Sequence, residues 1–299
     1  MKILINRKVV NGPWGGGNKF VKAFYDHGRK RGHKIVSAFE EDIDLIFLQD
    51  PRPNELGIGI NESYSYCRAF PKTKLVQRIN ECDARKDTSH MDKMLNACSS
   101  VLDHTVFVSD WMKNYHVEKG WVCKNQSVIY NGADLEIFKK RDKIKNGKIN
   151  IVTHHWSNNY MKGFDIYNEI DSFVKENSDF TFTYIGREIG SFKNTKVIPP
   201  LFGKALGEEL SKYDLYISAS RFDPGPNHIL ESLACEIPTY VYKDGGGCIE
   251  FAGEEMVYND LQDLISIIKN KNYGTNKMRP TSWEACLEQY FDLFEEMLK

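Results

Sequence analysis

Ser218-Ala219-Ser220-Arg221-Phe222-Asp223-Pro224-Gly225-Pro226-Asn227-His228-Ile229-Leu230-Glu231-Ser232-Leu233-Ala234 reads as the end of a strand, a Gly/Pro turn and the start of a helix. Pro226 suits the first helical position, where an N–H has no partner and the ring already holds a helical φ. Amides at such a helix start sit at the positive end of its dipole and receive phosphate or sugar oxygens. Asp223 falls in the turn. Glu231 falls about one and a half turns into the helix, and its side chain leans back toward the amino end. The spacing therefore aims two carboxylates at one ligand. A capping Asp beside a solvated Glu is the plain alternative when the segment is read in isolation.

The same alternation of short apolar runs and helical stretches extends to both sides, which is the pattern of parallel α/β sheets. Toward the amino end, strands are expected at 2–5, 34–36, 45–48, 74–76, 105–108 and 127–130. A helix is expected from about Asn18 to Arg31, with Phe20, Ala23, Phe24 and His27 on one face. It follows the loop Gly12-Pro13-Trp14-Gly15-Gly16-Gly17. Residues 139–148 are polar with nothing to bury and read as a linker. A second series has strands at 149–153, 180–185, 196–198, 214–217 and 238–242, with helices near 164–176, 205–212, 226–235 and 260–269. Residues 282–299 form an amphipathic helix with Trp283, Leu287, Tyr290, Phe291, Phe294 and Leu298 on one face. The expected domains are 1–145, with 282–299 returning to it, and 146–281. Sheets of this kind bind ligands at the carboxyl ends of their strands, so two of them face to face make a polar cleft.

Composition narrows the classes. The 299 residues carry a net charge of -1, which gives no general attraction to nucleic acid. Residues 1–148 hold 26 Lys/Arg against 18 Asp/Glu, and 149–299 hold 14 against 23, so the two domains are expected to meet different partners. The basic excess around Lys19, Lys22, Arg29, Lys30, Arg31 and Lys34 suits an anionic acceptor, a peripheral membrane contact or an ordinary solvated helix face. Seven scattered cysteines, odd in number and without a close pair, fit reduced thiols and a cytoplasmic location. The first residues turn polar too soon for a signal peptide, and no apolar run approaches the ~20 residues of a membrane span.

The 218–234 segment resembles the acidic-x7-acidic signature of retaining GT-B glycosyltransferases, particularly glycosyltransferase family four. Asp223 stands where Glu is more frequent. Further stretches match in the same order. Val128-Ile129-Tyr130-Asn131-Gly132-Ala133-Asp134 with Phe138 resembles the passage closing the first domain. Lys162-Gly163-Phe164-Asp165 resembles the Lys-Gly motif, and Ser282-Trp283-Glu284 the start of the returning last helix. The resemblance implies a GT-B fold of two Rossmann-like parallel-sheet domains facing across a cleft. It implies that Glu231 holds the nucleotide ribose, that Asp223 lies by the transferred sugar and that Lys162 holds the donor diphosphate.

Lys162 also has a physical case, because a fixed cation stabilises the charge that a leaving diphosphate gains as the glycosidic bond breaks. The family's usual Arg before this Lys is missing, and His154-His155-Trp156-Ser157-Asn158 stands there instead. His155 or Arg187 is the expected substitute. Donor contacts are thus expected from Gly16, Gly17, His155, Ser157, Lys162, Gly186, Arg187, Gly225, Asn227, His228, Ile229 and Glu231, with Lys162, Asp223 and Glu231 as the catalytic set. Gly245-Gly246-Gly247 with Glu250 is a further candidate for backbone contact, a flexible turn being the alternative. Arg78, Asp83 and Arg85, in the stretch 77–86 after a strand, are expected on the acceptor side, a solvated loop being the alternative.

The expected activity is transfer of a hexose-type sugar, with retention, from a UDP-, GDP- or ADP-sugar to a hydroxyl of a glycan, lipid-linked or small-molecule acceptor. No cofactor and no metal are expected, because Asp42-Ile43-Asp44 precedes a strand and sits poorly for a metal-diphosphate site. A non-catalytic sugar-nucleotide or glycan-binding protein on the same fold is the alternative from another class. An epimerase, a phosphorylase or a DNA-modifying glucosyltransferase are less favoured enzyme alternatives.

Overall fold

Leu45-Ile46-Phe47-Leu48 is buried along its whole length, as a strand covered on both faces of a parallel sheet must be. The computed structural model describes residues 1–10, 16–53, 56–187, 189–190 and 192–299. Two units divide the chain: Met1–Asn131 with Trp283–Lys299, and Gly132–Ser282.

In the first unit the strands are β1 (Lys2–Ile5), β2 (Lys34–Val36), β3 (Leu45–Leu48), β4 (Lys74–Ile79), β5 (His104–Phe107) and β6 (Gln126–Val128). They form one parallel sheet in the order β2-β1-β3-β4-β5-β6. Alternate residues separate two cores, as the two-residue period of a strand requires. Ile3, Ile5, Leu45, Phe47, Val76 and Val106 face helices Gly16–Lys30 and Trp283–Met297, whose Phe20, Phe24, Tyr290, Phe291 and Phe294 are fully buried. Leu4, Ile46, Leu48 and Leu75 face the other way, toward Tyr66 and Cys67 of helix Ile60–Ala69.

β4 runs through Gln77-Arg78-Ile79, which read as loop in the sequence. These residues pair with Thr105, Val106 and Phe107, and the polarity of Gln77 and Arg78 concealed the strand. Helices Ile60–Ala69, Met91–Cys98 and Asp110–Glu118 fill connections that the periodicity had not delimited. The 12–15 part of the glycine loop lies outside the described residues.

The second unit carries β7 (Ile149–His155), β8 (Phe180–Gly186), β9 (Lys196–Ile198), β10 (Leu215–Ser218), β11 (Thr239–Tyr242) and β12 (Val257–Tyr258), ordered β12-β11-β10-β7-β8-β9 and all parallel. Counted within the unit this is the Rossmann order, and its direction reverses between β7 and β10. In the first unit the reversal falls between β1 and β3.

Residues 137–144 pack within the second unit, so the unit begins before the 145/146 boundary expected from composition. Arg141 donates to the carbonyls of Gly207 and Ile137, both at 3.0 Å, and Lys143 Nζ to that of Tyr213 at 2.6 Å. Ile144 N–H donates to Lys212 O at 2.9 Å. These charged side chains serve backbone acceptors, which composition alone does not reveal.

Candidate functional site

The reversal point between β7 and β10 brings their carboxyl ends together, and the motif residues gather there. β7 ends in His154-His155, and β10 ends at Ser218 where the Arg221–Pro226 turn begins. Helix Asn227–Ala234 follows. Its first bonds are accepted by the carbonyl of Pro226, from Ile229 and Leu230, so Pro226 is the N-cap and not the first helical residue.

Lys162 arrives on a tight turn. Ser157 Oγ accepts from Asn159 N–H at 3.1 Å, and Asn159 Oδ1 from Met161 N–H at 2.8 Å, which winds 160–162 into one 3-10 turn. Gly163 then takes φ +86° and passes so close to Ala219 that an added Cβ would lie 2.3 Å from its carbonyl oxygen and Cβ. Arg221 N–H donates to Met161 O at 2.8 Å, and the Arg221 guanidinium grips both oxygens of Asp165 at 2.9 and 2.7 Å. The bidentate pair holds the Asp165 carboxyl below its usual range. Together these bonds clamp the Lys162 turn to the Asp223 turn.

Lys162 Nζ donates to Asp223 Oδ2 at 2.5 Å, both side chains being largely buried. Next to Asp223, His228 Nδ1 lies 4.0 Å from the same oxygen, and His228 Nε2 is 2.8 Å from Ser218 Oγ. His154 Nε2 stands 2.9 Å from Glu231 Oε2, and its Nδ1 3.1 Å from Tyr216 Oη. The Lys162–Asp223–His228 set and the Glu231–His154–Tyr216 set adjoin, the His154 and His228 ring centres being 6.3 Å apart. Burial, reinforced by the Lys162 charge, pushes His228 down to about 3, so the ring is neutral. Burial also drives His155 well below its usual range.

Several expected donor contacts are committed elsewhere. His155 Nε2 is 2.7 Å from Tyr167 Oη, an oxygen that also accepts from Ala219 N–H at 3.0 Å, so the ring is engaged by the tyrosine. Arg187 is exposed and stacks on the Trp156 ring at 4.0 Å, leaving it the accessible cation of the two candidates. Gly186 pairs with His155, with no room for a Cβ against its carbonyl. Ile229 is fully buried and its N–H bonds Pro226 O, so neither its side chain nor its amide reaches a ligand. Gly225 and Asn227 are half-buried at the helix start. The Gly245–Gly247 turn is packed and not open: Asp223 N–H donates to Gly245 O at 3.1 Å, Gly247 N–H to Asp223 O at 2.9 Å, and an added Cβ at Gly247 would lie 2.8 Å from Pro224 O. Its small residues support the Asp223 turn from behind.

The acceptor-side candidates lie in the first unit. Arg78 and Arg85 line a cavity of about 280 Å³ with Gly16, Gly17 and Gln77. Asp83 does not line it. Its carboxylate accepts from Thr88 Oγ1 and from the N–H groups of His90, Met91 and Asp92, which caps the next helix and lowers its pKa to about 2 against the opposing effect of burial. Gly16 and Gly17, expected at the donor, sit at the amino end of helix Gly16–Lys30 beside this cavity.

Sequence reading missed His154, Tyr167 and the Asp165–Arg221 clamp. His154 was legible only once β7 was known to end there, at the reversal point. Among the described residues no group of three or more His, Cys, Asp or Glu side chains is placed to hold a metal ion, and no helix is long and apolar enough to cross a membrane.

No family model matches the chain, and no curated protein matches it in sequence. Solved structures do resemble it. The Anabaena protein HepE in complex with UDP and glucose is 12% identical with a TM-score of 0.70, over 98% of this chain and 99% of that one. Sucrose-phosphate synthase from Thermosynechococcus elongatus is 11% identical with a TM-score of 0.71, over 99% and 98%. The lipopolysaccharide outer core galactosyltransferase WaaB is 12% identical with a TM-score of 0.65, over 100% and 99%. The fold is GT-B, built from two Rossmann-like parallel-sheet units.

Proposed function

We propose that the chain is a retaining glycosyltransferase that moves a hexose-type sugar from a nucleoside-diphosphate sugar to an acceptor hydroxyl. The observation that carries this reading is the cluster at the β7/β10 reversal, where Lys162–Asp223 and His154–Glu231 lie side by side at the ends of parallel strands. HepE, with the same fold, is described with UDP-glucose, so a UDP-sugar is the first donor to test.

In this reading Glu231 accepts from the ribose hydroxyls, and Lys162 together with Arg187 neutralises the diphosphate. Asp223 holds Lys162 in place and lies by the sugar. The bond between the anomeric carbon and the β-phosphate oxygen breaks, and its electron pair stays on the phosphate. Acceptor oxygen bonds the anomeric carbon on the same face, and the acceptor proton passes to the departing phosphate. Lys162 stabilises that charge more in the transition state than before it, which is the differential interaction catalysis needs. His155 and His228, being neutral, add no fixed charge. No metal takes part, since cations and amides do the neutralising. Seven free cysteines, six of them buried, suit work in a reducing cytoplasm.

Incubation with labelled UDP-glucose, GDP-glucose and ADP-glucose tests the reading, by release of the nucleoside diphosphate and by the anomeric configuration of the product. Transfer with retention from one of them, unaffected by EDTA, is expected. Absence of any sugar release from all three donors across a panel of acceptors, or an inverted product, overturns it.

A further inference from the structure

The cavity of the first unit opens at the carboxyl ends of β1, β3 and β4, at the reversal point of that sheet. Buried polar side chains in native proteins are almost always hydrogen-bonded, to protein, water or a ligand, so several without a protein partner around one hollow call for polar occupants there. Five such atoms occur together here, one of them Glu81 Oε1, which lies 3.7 Å from Arg85 Nη1, and the other four on Gln49, Gln77 and Arg78. Among the described residues Gln49 Nε2, Gln77 Oε1 and Nε2, and Arg78 Nη1 have no hydrogen-bond partner, and their residues line the cavity while being 6%, 0% and 2% exposed.

Arg78 decides the chemistry. Its Nε donates to Tyr290 Oη at 3.2 Å, its Nη2 to Asn131 Oδ1 at 2.7 Å, and its plane lies 4.2 Å from the centre of the Phe20 ring. All three partners are neutral, and among the described residues no carboxylate pairs with it. A buried guanidinium without a counter-ion is costly, and an oxyanion meeting its free Nη1 removes that cost. The surroundings have the same sign. Arg7, Arg52, Arg85 and Lys86 also line the cavity, against two carboxylates, Asp50 and Glu81. Asp50 pairs with Arg52 at 2.6 Å, and Glu81 pairs with Lys86 at 2.5 Å through Oε2 and with Arg85 at 3.7 Å through Oε1. The amino end of helix Gly16–Lys30 adds a further positive pole.

We propose that this cavity holds the acceptor, and that the acceptor is a small polyhydroxylated anion whose phosphate or carboxylate sits on Arg78 while its hydroxyls bond the Gln49 and Gln77 amides. The word acceptor rests on the glycosyltransferase reading, whereas the preference for an oxyanion stands on the first unit's own residues.

Side-chain amide resonances of the full chain, labelled with nitrogen-15, report on Gln49 and Gln77 directly. Titration with glucose 6-phosphate and with glucuronate is expected to shift them at concentrations roughly tenfold or more below those needed for glucose, and inorganic phosphate is expected to compete. Arg78→Lys, which keeps the charge but loses the fork, is expected to weaken glucose 6-phosphate by about tenfold. Should that variant fold poorly, the rim variant Arg52→Gln/Arg85→Gln is expected to weaken the same ligand while leaving glucose unchanged. Glucose binding as tightly as glucose 6-phosphate, or anion-induced shifts confined to residues around Lys162, overturns the proposal. UDP titrated in parallel separates the two ideas. If UDP leaves the second unit silent while glucose 6-phosphate still moves Gln77, the donor reading fails and the anion cavity stands; the reverse pattern sinks the cavity alone.

Discussion

The ammonium of Lys162 stands 2.5 Å from Asp223 Oδ2, and each is the other's principal charge partner in a nearly closed environment. The contact spans two motifs far apart in sequence and gives the cation a fixed position before any ligand arrives. Removing the lysine therefore takes the cation from a carboxylate that stays buried.

Lys162→Met therefore tests stability and chemistry separately. Loss of the cation beside the buried Asp223 is expected to cost on the order of 3 kcal/mol in urea denaturation. Lys162→Met/Asp223→Asn is expected to recover most of that loss while transfer stays down by roughly two orders of magnitude or more. A double variant that remains as unstable as the single one shows that the pair is not what the lysine contributes.

Glu231→Ala is expected to reduce donor turnover by about two orders of magnitude with the fold intact. His154 acts on Glu231 through one hydrogen bond. His154→Ala is accordingly expected to raise the donor KM about tenfold with little change in kcat, the signature of lost uniform binding. An equal fall in kcat instead places the histidine in the chemical step.

The buried histidines set a pH dependence of stability. His228 is held down to about 3 and His155 well below its usual range, by burial in both cases and by neighbouring positive charge. Below pH ~6.5 the unfolded chain takes up protons at these rings and the folded chain does not, so stability is lost as pH falls, by about 1.4 kcal/mol per pH unit for each ring. Urea midpoints at pH 7.5, 6.5 and 5.5 are expected to decline, and His228→Gln to flatten the decline. A wild-type midpoint independent of pH contradicts the assignment.

Gly163→Ala combines a positive φ with a clash against the Ala219 backbone. A loss of at least about 2 kcal/mol is expected, with lower turnover because Lys162 moves. Gly147→Ala is the control: φ is +73° but nothing lies within 4 Å, so only the backbone cost of about 1 kcal/mol is expected. Equal losses in both variants mean that the close approach contributes nothing.

The fold was legible where a strand is a continuous apolar run, as at 45–48, because burial on both faces leaves no polar position to confuse the period. It was hidden where a strand carries buried polar groups. Gln77 and Arg78 belong to β4, yet their polarity read as loop, and the same polarity is what makes the cavity. In the second unit Lys162, Asp223 and Glu231 were read from spacing and resemblance. That Lys162 pairs with Asp223, or that His154 meets Glu231, depends on the β7–β10 neighbourhood, which no local pattern encodes. Asp83 shows the opposite failure. An acidic residue after a strand reads as a ligand contact, but its oxygens are fully used in capping the helix that follows.

Helix Trp283–Met297 supplies Tyr290, Phe291 and Phe294 to the core around Phe20, Phe24 and Phe47, and Arg31 fastens it through Glu288, Asp292 and Glu295. During synthesis the strands of the first unit emerge long before this helix does. A nascent chain must therefore carry an unsealed aromatic flank while the whole of residues 132–282 is translated, a period in which it is a natural client for chaperones. A premature stop between residues 259 and 282 would leave that flank permanently open, and such fragments are destined for aggregation or proteolysis even though every strand of both sheets has been made.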